Sequence, residues 1–114
     1  VAGAPPQALH RVAVHHAAMA AARIGGPGKP TPRLVLGYCG PEDIWTRTVE
    51  AWTVYVDTTA SWPAKRQALL AHASQLREAP HPRSLPAIKA LDTAAGVSIG
   101  AGLAERFVPY RMAF

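Results

Sequence analysis

The side chains able to carry chemistry are few and scattered. Three histidines share one N-terminal stretch, His10, His15 and His16. Metal ligands on one helix face stand three or four residues apart. These are spaced five and one, so their rings point to separate sides and read as solvated or interface groups. His72 and His81 stand alone. Cys39 is the only cysteine. It excludes an intrachain disulfide and a thiolate zinc cluster, and would need a neighbouring base to act as a nucleophile. A buried or loop cysteine is the simpler reading. Glu42 and Asp43 are adjacent and read as a solvated loop-tip pair rather than as paired acid and base.

The loop Gly25 to Pro32, G-G-P-G-K-P-T-P, superficially suggests a phosphate cradle. A P-loop needs a glycine five residues before its Gly-Lys pair and Ser or Thr straight after it. Arg23 and Pro30 occupy those places, and a helix precedes the loop where a strand should. The segment reads as a flexible connector. Trp45, Trp52 and Trp62 have faces on which bases could stack, but core or subunit-interface anchoring is the better reading. No residue is assigned to catalysis, a cofactor or a metal, and the chain is not read as an enzyme.

The elements that hold these residues follow from periodicity. Thr48 to Asp57, T-V-E-A-W-T-V-Y-V-D, alternates β-branched and aromatic residues on both faces, which predicts a central strand. Gln7 to Ile24 reads as a helix opened by Pro5-Pro6 and closed by Gly25-Gly26, after an extended arm at 1–6. Its stripe of Leu9, Val12, Ala13, Ala17, Met19, Ala20 and Ile24 permits close approach to a sheet or a neighbouring subunit. Arg33 to Tyr38 is a short strand expected to pair with the central one as a hairpin with a wide loop. A second helix is expected from Trp62 to Ala79, capped by Ser61. Trp62, Leu69, Ala73 and Leu76 lie along one side, and Lys65, Arg66, Gln67, Gln75 and Arg77 mostly face away. Ser84 to Leu91 fits either a short strand or a helical turn, and Val97 to Ile99 fits a short strand between glycines. Ala104 to Phe114 alternates again, with Val108, Tyr110, Met112 and Phe114 on one face and Glu105 and Arg111 on the other. Pro109 has no N–H, so this strand is expected at a sheet edge or with a bulge. The expected fold is α+β, an antiparallel sheet of about four strands with two helices packed against it, in one domain over 1–114.

Composition bounds the partners. The apolar share is 49%, much of it alanine, so the large anchors are few and burial is expected to be completed by copies of the chain. The formal charge is +5, of which residues 61–114 supply +4, seven Lys/Arg against three Asp/Glu. The charges are dispersed, which reads as a mildly basic solvated surface rather than a dedicated nucleic-acid face. No apolar run approaches the ~20 residues needed to span a bilayer, and no signal peptide is recognised.

Taken in order, the Ala-rich helix ending in R-I-G-G, the P-R-L-V-L-G strand, the loop to Trp45, T-V-E-A-W-T-V-Y-V-D, the helix K-R-Q-A-L-L-A-H-A-S-Q-L-R-E-A and the final R-F-V-P-Y-R-M-A-F resemble a known family. The pattern is similar to the tail-terminator or tail-completion proteins of long-tailed bacteriophages, with Pro80 to Gly102 matching least. The resemblance implies a structural virion protein assembled in the host cytoplasm. It also implies a closed, hexameric ring of identical subunits at the head-proximal end of the tail tube. The ring's partners would be the tail tube protein and the head–tail connector, with passing contact to genomic DNA, and no cofactor or membrane is implied. The interface residues expected on this reading are Trp45, Trp52, Trp62, Tyr110, Arg111, Met112 and Phe114. A closed ring needs a heterologous interface. Two alternatives stay open, a head-closure or other neck protein and a small basic nucleic-acid-binding or regulatory domain.

Overall fold

The computed structural model describes residues 6–38, 40–41 and 53–114, with side chains from 12 onward. The described elements run α1 (Pro6–Ala21), β1 (Leu34–Gly37), β2 (Val54–Asp57), α2 (Trp62–Ala71), α3 (Leu85–Val97) and β3 (Ala104–Met112). The α+β class holds, but the described residues form three helices and a three-stranded antiparallel sheet rather than two helices and about four strands. The residues gather into two compact units, one up to Val35 together with Arg111–Phe114, the other Leu36–Tyr110.

In the first unit, every side chain from Val12 to Ala21 is exposed. The alanine-rich stripe expected to pack is therefore uncovered, and Ala22 is the buried residue of this segment. Among the described residues, Val12, Val14 and Met19 are the large apolar side chains that α1 leaves exposed. The loop after it is closed locally. The Gly25 amide donates to Thr31 Oγ1 at 3.1 Å, the Lys29 amide donates to the Gly26 carbonyl at 3.0 Å, and Gly28 takes a positive φ of 76°. Arg111, of the same unit, donates from Nη1 to the carbonyls of Ala22 and Pro32 at 2.7 and 2.9 Å.

The second unit corrects the expected strand order. The sheet runs β1-β3-β2, so the C-terminal strand is central, β2 is an edge, and β1 and β2 do not form a hairpin. β2 pairs antiparallel with β3 from Val54↔Phe107 to Asp57↔Ala104. Pro109 falls beyond that register, so its missing N–H costs none of those four pairs. Of the expected strand from Thr48, positions 48–52 lie outside the described residues. After Asp57 the chain turns at once. Thr59 donates its amide and its hydroxyl to Asp57 Oδ1 at 3.0 and 2.7 Å, and the Leu103 amide donates to Thr59 Oγ1 at 3.1 Å. One threonine thus joins the end of β2 to the start of β3.

The expected second helix is shorter than its pattern. α2 ends at Ala71, a 3₁₀ turn follows at Ala73–Gln75, and Leu76 is already extended. Ser61 makes no side-chain cap there. The segment that fits either strand or helical turn is helix α3. Ser84 caps it, accepting from the Ala87 amide at 3.2 Å, and Pro86 stands in the first turn where its lack of an N–H costs nothing. Val97 to Ile99 is the end of this helix and its exit turn, not a strand. The Ala101 amide returns to the Gly96 carbonyl at 2.9 Å, and Gly100 takes φ 70°. A Cβ at Gly96 would stand 2.6 Å from the Ala101 carbonyl oxygen, so only glycine allows this close return. Ile88, Asp92, Ala95 and Gly96 form the buried stripe of α3, and with Ser84, Leu103 and Ala104 they make the core of this unit.

Candidate functional site

A carboxylate stands in the middle of that stripe. Ile88, Asp92 and Ala95 recur at spacings of four and three, so α3 carries Asp92 into the core on the same face as its apolar residues. A buried carboxylate needs a partner. Lys65 supplies it, because Trp62, Lys65 and Leu69 share the inward face of α2 at the same helical spacings. Lys65 Nζ donates to Asp92 Oδ2 at 2.6 Å and to Glu105 Oε1 of β3 at 2.9 Å. The sequence pattern has Lys65 facing away, and the structure turns it inward.

The cluster borders a cavity of about 340 Å³. Leu69, Ile88, Leu91, Ala95 and Phe107 contribute its apolar wall, and Tyr38, Gly40 and Pro41 lie along another side. Lys65, Asp92 and Glu105 make the polar wall, and exposed Arg106 lies at the rim.

Burial pushes the Lys65 ammonium toward losing its proton, but the hydrogen bonds and charges of Asp92 and Glu105 together outweigh it, so its pKa rises. An amine held protonated in this way is neither a nucleophile nor a Schiff-base former at neutral pH. Asp92 is also raised, first by burial and further by the Glu105 charge, with Lys65 pulling the other way. Two carboxylates thus share one cation.

The candidate residues of the sequence are not brought together. Cys39, Glu42, Asp43, Trp45 and Trp52 lie outside the described residues, as does the side chain of His10. His15 and His16 are exposed neighbours on α1, their ring centroids 6.0 Å apart. Among the described residues no group of three potential metal ligands occurs. His72 is exposed, and His81 accepts the Arg83 amide through Nδ1 at 3.0 Å. Trp62 is half-buried with Lys89 Nζ 5.7 Å from its ring centroid. In the second unit Tyr110 is exposed beside Gly37, where a Cβ would meet its ring at 2.6 Å. In the first unit Met112 and Phe114 are exposed while Arg111 is engaged with backbone carbonyls.

The cluster itself is absent from the residues that spacing alone brings forward. Its one signal is the acidic residue in the run A-I-K-A-L-D-T-A-A-G, at a stripe position of a helix announced by S-L-P. No described helix is long and apolar enough to cross a membrane. Compared with protein-family models, curated proteins and solved structures, the chain matches none.

Proposed function

We propose that this chain is a structural subunit that assembles with copies of itself, and specifically a tail-terminator subunit of a long-tailed bacteriophage. It would form a ring at the head-proximal end of the tail tube and join the tube to the head connector. One observation carries the assembly reading. Among the described residues, Ile88 and Leu103 are the large aliphatic side chains that are buried, whereas thirteen large apolar side chains are exposed. They include Val12, Ile24 and Phe114 in the first unit and Tyr38, Val97 and Tyr110 in the second. Each large apolar side chain gains roughly 1.5–3 kcal/mol when fully buried, so contacts between copies would offer burial that these units leave unused. The virion role rests on the ordered sequence pattern given above, and the reading assigns the chain no chemistry of its own.

Native mass spectrometry tests the proposal. Six copies of a 12.1 kDa chain make a ring of about 73 kDa, 6 × 12.1. A closed oligomer that docks on purified tail tubes and stops their growth is the expected result. A species of one chain mass at micromolar concentration would overturn assembly. Salt-dependent DNA binding by such a monomer would favour the nucleic-acid-binding alternative, for which the charge of +5 speaks.

A further inference from the structure

The cavity beside Lys65 is not accounted for by the assembly reading. At about 340 Å³ it falls at the small end of the ~300–1,000 Å³ typical of small-ligand sites. Its lining is mostly apolar, and Asp92, Glu105 and Lys65 supply a polar part of it together with Arg106. Each carboxylate commits one oxygen to Lys65, Asp92 through Oδ2 and Glu105 through Oε1, and keeps the other uncommitted among the described residues. Lys65 and Arg106 match Asp92 and Glu105 in formal charge around the cavity, but both carboxylates share Lys65, and the Asp92 side chain is only 10% exposed. Arg106 is exposed and the Glu105 side chain is 38% exposed, so solvent screens both, and Asp92 is the most buried charge of the lining. An occupant that brings donors and positive charge to these carboxylates, and a short apolar body to Leu69, Ile88 and Phe107, would complement this lining.

We propose that this cavity is a binding site for a primary alkylammonium group on a short apolar chain. An ammonium has three donors and no acceptor, which matches a wall that offers only acceptors beside Lys65. A free alkylamine and a lysine side chain of a partner peptide share this chemistry. A carboxylate ligand brings no donor to Asp92 or Glu105, and a neutral alcohol forgoes the charge-assisted hydrogen bonds.

The test titrates the whole chain near neutral pH with propylamine to hexylamine, hexanol, hexanoate, and the lysine analogue Nα-acetyl-lysine amide, following amide shifts by NMR. Shifts centred on Leu69, Ile88, Asp92 and Phe107 are expected. Affinity should rise about fourfold per methylene from propylamine to hexylamine, and hexylamine should exceed hexanol by about tenfold. Tighter binding by acetyl-lysine amide than by an amine of equal chain length would identify the source as a protein side chain, and the reverse a free amine. Glu105→Gln, at a more exposed position, should weaken hexylamine about tenfold without unfolding the chain, and Asp92→Asn should do so if it folds. Equal shifts with hexanol and hexylamine, tighter binding of hexanoate, or no shift at millimolar amine would each overturn the proposal. None of these outcomes depends on whether the chain forms a ring.

Discussion

Replacing Lys65 with Met tests the energetics of the cluster most directly. Methionine keeps an unbranched stem against the α2–α3 contact and removes only the ammonium. Breaking a fully buried ion pair costs about 3–5 kcal/mol, whereas an exposed one is worth under about 1. Lys65 is 24% exposed, Asp92 10% and Glu105 38%, so the Asp92 contact lies toward the buried limit and the Glu105 contact toward the exposed one. The expected loss is about 2 kcal/mol near pH 7, roughly a thirtyfold change in the folding equilibrium. The pH dependence carries the sharper signature. Burial raises Asp92 first and the Glu105 charge adds to it, while the Lys65 hydrogen bond and charge pull it down. Without Lys65 only the upward pushes remain. An acid whose folded pKa lies above its unfolded value binds the proton more tightly when folded. Its ionisation therefore costs stability as pH rises from the unfolded value of 3.8 through the raised one. The gap between wild type and Lys65→Met should accordingly open as pH rises from about 4 to about 7 and shrink on acidification. Lys65 shows the opposite edge. Its pKa is raised above 10.5, so its contribution is fully present below that value and is lost as pH rises past the folded pKa, where the gap should close again. Urea denaturation of both proteins across this range is the assay. A gap that is flat with pH, or a variant as stable as wild type near pH 7, would refute the assigned burial and pairing.

Two further substitutions probe the turns that position the cluster. Gly96→Ala should lose about 1–2 kcal/mol in urea denaturation with an unchanged m-value. Helix propensity favours alanine by about 1 kcal/mol, but the new methyl would meet the Ala101 oxygen at 2.6 Å and Gly102 backbone atoms at 3.0 Å, and backbone yields little. Thr59→Val should raise the Asp57 pKa, read by NMR titration of its carboxyl. The Thr59 hydroxyl and then its amide hold that carboxyl below its ordinary value, and only the amide survives the substitution. An unmoved Asp57 titration would show that the hydroxyl bond is not made in solution.

Much of the local structure is legible in the sequence. The first helix, the R-L-V-L-G strand, the V-Y-V-D strand and the start of the second helix each follow from short-range periodicity and punctuation, and α1, β1, β2 and α2 occupy those places. The third helix is harder to read because its core stripe holds an aspartate and its first turn a proline, though S-L-P-A-I is a helix start when read as cap and first turn. The order of strands departs from expectation for an identifiable reason. Pro109 suggests an edge for the whole strand, whereas a proline removes one donor at one position, and β2 uses only Ala104 to Phe107.

What the sequence determined alone is the α+β composition, the scarcity of large anchors and the mildly basic surface, because these depend on residue type and near-neighbour spacing. Only the tertiary structure decided that the last strand lies between the other two and that Lys65 turns inward. Asp92 is 27 residues and Glu105 40 residues from Lys65 in the chain. No periodicity spans such distances, and the pairing exists because α2, α3 and β3 meet where a buried carboxylate must find a cation.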